Sequence, residues 1–226
     1  MCTDGARQRR PATAGPPFVV GIVGPAGSGK STLARALAGA EIRVLDADRM
    51  GHEIANGDPA VRAALVAEYG AGVYRADGTL DRAQVAAKVF SDPAALARLN
   101  ALTHPRILER LRAEAARAAR ERFRGTLLVD AALLLDWGFE RECDGVVAVV
   151  APRALQLERL AKTRGWSADE AARRLGNART NEQFTALADE VVVNDHDEAH
   201  GVRELAATVA RLLAKRQLAA ARERPA

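Results

Sequence analysis

The chain has 226 residues, 48% hydrophobic but only 4% aromatic, enough for one α/β domain with an insertion around a core of mainly Ala, Leu and Val. Its formal net charge of +4 sits at the two ends, in Arg7, Arg9 and Arg10 against Asp4, and in Arg211, Lys215, Arg216, Arg222 and Arg224 against Glu223. The body between them is slightly acidic, which argues against a nucleic-acid surface. Two distant cysteines, Cys2 and Cys143, give neither a disulfide framework nor a zinc site; with no secretory signal and no run long enough to span a membrane, the expectation is a soluble cytoplasmic protein.

In chain order, residues 1–17, rich in Pro, Gly, Ala and Arg, read as a disordered leader. Val19–Val23 is a short apolar strand, and Gly24 to Ser31 follows as G-P-A-G-S-G-K-S before a helix expected over Ser31–Ala38. A second strand, Ile42–Leu45, runs into Asp46-Ala47-Asp48. The next strand begins only at Thr126, and the long gap is almost wholly helical in pattern. Helix starts are expected at Asp58-Pro59, Asp81 and Asp92-Pro93, and a break at His104-Pro105, because proline cannot donate an interior hydrogen bond. Thr126–Val129 and Val146–Val150 are strands, Arg153–Lys162 and Ala168–Ala178 helices, Glu190–Val193 a strand and Glu198–Leu213 a helix. Continuous apolar strands alternating with helices imply a parallel, doubly wound sheet buried on both faces. A segment as long as the 49–124 insertion is expected to be functional.

The glycine segment is a complete phosphate-binding loop in strand–turn–helix context, so the chain is expected to bind a nucleoside triphosphate, with ATP the first choice. Gly24, Pro25, Ala26, Gly27, Ser28 and Gly29 supply the curled backbone, and Lys30, Ser31 and Thr32 open the helix. Lys30 carries charge to the β/γ-phosphates, and the Ser31 hydroxyl can ligate Mg²⁺. In extended chain, residues two apart point the same way, so Asp46 and Asp48 are expected together at the carboxyl edge of the sheet, one as a base for an attacking hydroxyl. Leu127-Leu128-Val129-Asp130 ends a strand in a carboxylate suited to a magnesium shell or a substrate. Arg159 and Arg164 lie on a helix running into Gly165, as guanidinium groups of a lid would. His196 and His200 lack the fixed geometry of a metal site, and Trp137 and Trp166 read as packing residues.

Together these pieces resemble the dephospho-coenzyme A kinase family from Val19 to about Leu213. The matching residues are the phosphate loop with Thr32, Leu45-Asp46-Ala47-Asp48, Asp77-Gly78 with Leu80-Asp81-Arg82, and Val89-Phe90. Leu99-Asn100 before His104-Pro105 and Ile107, Asp130 before Leu133-Leu134, Gln156 with Arg159, and Ala188-Asp189 with Asn194 continue the match. The resemblance implies a P-loop kinase core with a five-stranded parallel sheet over 18–48 and 125–214, a lid at about 160–180, a helical acceptor-binding insertion over 49–124 and a basic tail over 215–226. It implies transfer of phosphate from ATP, with Mg²⁺, to the ribose 3′-hydroxyl of dephospho-coenzyme A. Asp48 would be the base, Asp46, Lys30 and Arg159 would serve phosphoryl transfer, Arg164 and Asn194 the nucleotide, and Asp48, His104, Pro105 and Asp130 the acceptor. No obligate protein partner is implied. The chain departs from the usual family pattern at Gly24-Pro25-Ala26-Gly27, at Ala132 to Asp136, at Asn177 and at Asn194-Asp195-His196. Two other readings are a P-loop kinase for a nucleoside, nucleotide or sugar acid, and a slow nucleotide-gated switch. The switch leaves the Asp46/Asp48 pair unexplained.

Overall fold

The computed structural model describes residues 17–223, so all of the expected leader except Pro17 lies outside the described residues. The chain runs β1 (Phe18–Val23), α1 (Lys30–Ala36), β2 (Ile42–Asp46), then α2 (Ala47–Gly57), α3 (Pro59–Tyr69), α4 (Arg82–Ser91) and α5 (Pro93–Arg120). It continues with β3 (Thr126–Asp130), β4 (Gly145–Val150), α6 (Arg153–Arg164), α7 (Ala168–Gly176), α8 (Asn181–Leu187), β5 (Glu190–Val193) and α9 (Glu198–Glu223). Two compact units result: Met1–Asp46 with Arg117–Ala226, and Ala47–Ala116.

The first unit holds a five-stranded sheet in the order β2-β3-β1-β4-β5, with every pairing parallel. Both faces of β1, β3 and β4 are buried, which is why these strands read as unbroken runs of Val, Leu and Ile. Val20, Ile22, Leu128, Val147, Val149 and Val192 pack with Leu33 and Ala34 of α1 and with Leu205, Val209 and Leu212 of α9. The apolar stripe on α9 follows helical spacing, so this helix seals one face of the sheet. Trp166 joins a smaller cluster with Leu160, Ala171 and Leu175, and the Arg174 guanidinium lies over its ring at 4.2 Å.

Two expectations need correction in this unit. Residues 215–223 are not a tail; they continue α9. Lys215 pairs with Glu190, and Arg216 Nη2 sits 3.3 Å from Asp144, a carboxylate whose side chain is 1% exposed and which also accepts the Val19 N–H at 2.8 Å. The acids that these cations meet are far away in sequence, so charge counted along the chain does not reveal the pairings. Arg216→Ala is therefore expected to destabilise the fold by on the order of 3 kcal/mol, since it removes a cation from a buried carboxylate. Urea unfolding checks this, and a variant as stable as the parent would reduce the pair to decoration. Truncation after Ala214 should lower stability in the same way. The second correction is α8, which has no counterpart among the expected helices. Thr180 and Gln183 form a capping box at its start, the signal that could have revealed it.

The second unit is helical apart from a Tyr74–Leu80 bridge around Asp77-Gly78. The three acids expected to start helices do so. Asp58 and Asp81 cap α3 and α4 with their side chains, and Asp92 Oδ1 accepts the Ala94 N–H at 2.9 Å. Backbone N–H donation, first from Val61, together with Arg106, holds the Asp58 carboxyl below its ordinary pKa. Met50, Ile54, Val61, Leu65, Val73, Ile107 and Leu111 are buried. The helix break expected at His104-Pro105 does not occur; Pro105 lies inside α5, which runs on to Arg120. Around the missing N–H, side chains serve the neighbouring carbonyls: Thr103 Oγ1 donates to Leu99 O at 2.9 Å and Arg106 Nη1 to Leu102 O at 2.8 Å. Burial of Ile107 and Leu111 then holds the turns beyond the proline.

Candidate active site

β1 ends at Val23 and α1 begins at Lys30, leaving Gly24 to Gly29 to turn the chain at the carboxyl edge of the sheet. Gly27 (φ 76°) and Gly29 (φ 86°) hold left-handed backbone that side chains disfavour. Space demands glycine as well. A Cβ at Gly27 would come within 2.6 Å of the Gln156 carbonyl oxygen, and one at Gly29 would strike the Asn194 carboxamide. Ser28 N–H closes the turn on Pro25 O at 3.2 Å, so the proline supplies a carbonyl that the loop uses. Ala26 and Thr32 are exposed, Ser31 is half-buried, and Ser28 is buried.

Lys30, 9% exposed, forms a close ion pair with Asp130, 4% exposed, and its Nζ lies 3.4 Å from Ser31 Oγ. The loop lysine expected to carry charge to the β/γ-phosphates is thus held by the carboxylate that ends β3. Asp130 is in register with Ile22 on β1 and with Asp46 on β2, so the two acids stand on neighbouring strand ends, about 4.8 Å apart between strands. Asp46 also faces Arg35 Nη1 at 4.0 Å. The extended-chain argument that paired Asp48 with Asp46 fails. β2 ends at Asp46, and Asp48 lies in the first turn of α2, where neighbours two apart no longer share a face.

Arg159 comes from α6 to the phosphate loop, donating through Nη1 to Ser28 O at 3.2 Å and to Asn194 O at 3.1 Å. Asn194, just past β5, donates from Nδ2 to the same Ser28 O at 2.8 Å. The arginine expected to close with a lid already rests on the loop. Arg164 is exposed on the last turn of α6, before the left-handed C-cap Gly165. Gln156 was matched in the sequence without a role. Its Nε2 donates to Ala151 O at 2.8 Å and to Asn181 Oδ1 at 2.9 Å, which ties α6 to the start of α8 while its backbone abuts Gly27. Spacing of three from Arg159 put both residues on one helix face, the one sequence signal for this.

Of the expected site residues, the loop, Lys30, Asp46, Asp130, Arg159 and Asn194 belong to the sheet-bearing unit. Asp48, His104 and Pro105 belong to the helical unit. There Asp48 is exposed on α2, while on α5 His104 is half-buried and Pro105 exposed. Among the described residues no cluster of three or more His, Cys, Asp or Glu is arranged to hold a metal ion.

The family model described as dephospho-CoA kinase matches residues 18–200, a span that contains every residue of this arrangement. The chain belongs to the dephospho-CoA kinase family. It is 41% identical over 183 residues to the dephospho-CoA kinase of Dechloromonas aromatica, covering 80% of this chain and 86% of that protein. To the dephospho-CoA kinase of Thermobifida fusca it is 39% identical over 181 residues, covering 79% and 88%. The crystal structure of TT1252 from Thermus thermophilus superposes with a TM-score of 0.71 at 29% identity, over 87% of this chain and 98% of that one. The family span stops within α9, so the Arg216–Asp144 closure involves a helix end that the family model does not reach.

Proposed function

We propose that this member of the dephospho-CoA kinase family transfers the γ-phosphoryl group of ATP to the ribose 3′-hydroxyl of dephospho-CoA, giving CoA and ADP in the cytoplasm. The observation that carries the reading is the family match across 18–200, which includes the loop, Lys30, Asp46, Asp130, Arg159 and Asn194. The donor set suits a magnesium nucleotide. Ser31 Oγ and the carboxylates of Asp46 and Asp130 are hard oxygen ligands, and Mg²⁺ is usually held by one or two carboxylates plus phosphate oxygens, with no all-protein cage. When bound, Mg²⁺ would offset the charge of the β- and γ-phosphates.

The remaining roles fall to side chains of the chain itself. Lys30 exchanges the Asp130 carboxylate for phosphate oxygens as the nucleotide enters, and Arg159 adds a second cation. Asp48 takes the proton of the 3′-hydroxyl as its oxygen attacks the γ-phosphorus, and the bond to the bridging oxygen of the ADP leaving group breaks. The helical unit holds the acceptor, with His104 and Pro105 of α5 beside it. No described helix is long and apolar enough to cross a membrane.

The deciding experiment incubates purified protein with ATP, Mg²⁺ and dephospho-CoA and reads product mass. Formation of CoA and ADP is expected; turnover of a nucleoside or sugar acid in its place would move the chain to another P-loop kinase activity. On the acceptor side, His104→Ala is expected to weaken the reaction with dephospho-CoA about tenfold while ATP affinity by calorimetry stays unchanged, the size of one lost hydrogen bond to a ligand. Equal losses for both substrates, tracking a lower melting temperature, would make His104 a structural residue of α5.

A further inference from the structure

Asn194 sits one residue beyond β5 and is 4% exposed. A carboxamide so buried must place its donors and acceptor on protein groups. Its backbone N–H donates to Val150 O at 2.7 Å, extending the β4–β5 ladder by one rung and fixing where the side chain starts. Its Nδ2 donates at 2.8 Å to Ser28 O, 166 residues earlier and at the heart of the phosphate loop. Arg159 Nη1 shares that acceptor at 3.2 Å and donates to Asn194 O at 3.1 Å. Strand end, helix and loop therefore meet on one loop carbonyl whose two lone pairs take both donors.

Two consequences follow for the nucleotide. A trans peptide plane puts a carbonyl and the next N–H on opposite sides, so anchoring Ser28 O also aims the Gly29 N–H, one of the donors a phosphate loop presents. Arg159 commits one nitrogen to the carbonyls, while Nε and Nη2 have no hydrogen-bond partner among the described residues. It is thus held at the loop with donors to spare. We infer that Asn194 is a positioning residue for phosphoryl transfer, holding the phosphate loop and Arg159 in one arrangement before the nucleotide arrives. The inference deepens the kinase reading and rests on it.

The test uses Asn194→Leu, which keeps the size and removes the donor, with Asn194→Ala beside it. ATP affinity by calorimetry, kcat, KM for dephospho-CoA and melting temperature are measured for both on the full chain. ATP affinity and kcat are each expected to fall about tenfold in the leucine variant, the scale of one lost hydrogen bond, with KM for dephospho-CoA within about twofold of the parent. Unchanged ATP affinity and kcat in Asn194→Leu would overturn the inference. So would equal losses on ATP and acceptor that scale with melting temperature across both variants. A parent protein that binds ATP yet leaves dephospho-CoA untouched would sink the acceptor reading alone, and the ATP-affinity comparison would still decide Asn194.

Discussion

Lys30→Met is expected to lower turnover at least a hundredfold and to destabilise the protein at the same time. The first effect is the loss of a cation that stabilises charge on the transferring phosphoryl group, comparable to deleting a principal transition-state donor. The second comes from Asp130, which is 4% exposed and paired with Lys30. Removing one partner of a buried ion pair costs about 3–5 kcal/mol because the other charge stays behind in a poorly solvated place. A stability loss alone could mimic an inactive enzyme, so the informative experiment is a cycle. Asp130→Asn added to Lys30→Met should recover most of the lost stability and none of the turnover. Urea unfolding and an ADP-release assay on all four proteins separate the two roles. Activity within tenfold of the parent in the single variant would remove Lys30 from catalysis. A double variant no more stable than the single one would show that the pair is not what anchors the loop lysine.

Asp48→Asn should lower kcat by about 10²–10⁴ and leave ATP affinity nearly unchanged, because it removes a base and no phosphate contact. Asp48 is exposed in the first turn of α2, and among the described residues no helix cap or ion pair uses it, so the variant should melt like the parent. Asp46→Asn is expected to cost less in kcat, since Asp46 stands beside Asp130 at the strand ends and faces Arg35. Single-turnover rates and calorimetric ATP affinity distinguish the pair. If Asp46→Asn proved the more damaging, the base would be the residue at the strand end and the helical Asp48 would take the supporting part.

The elements set by near neighbours were legible from the chain alone. Strands buried on both faces announce themselves as apolar runs, Asp58 and Asp81 cap the helices they precede, and the phosphate loop is recognisable from its own glycines and the strand and helix beside it. Where local rules met tertiary packing, they gave way. Pro105 costs one hydrogen bond, which Thr103, Arg106 and the buried Ile107 and Leu111 outweigh, so α5 passes through it. Asp48 left the strand because β2 stops where its pairing with β3 stops, at Asp46 opposite Asp130.

The sequence by itself determined the parallel sheet, the phosphate loop and the helical stretch between β2 and β3, because periodicity, caps and glycine turns act over a few residues. Only the tertiary structure decided what those side chains rest on. Lys30 meets Asp130 across 100 residues, Arg159 meets Ser28 across 131, and Asn194 meets it across 166. Arg216 likewise turns from a tail charge into the partner of a buried acid. The strand order β2-β3-β1-β4-β5 brings these partners together, and nothing within a short window of sequence encodes which strand will lie beside which.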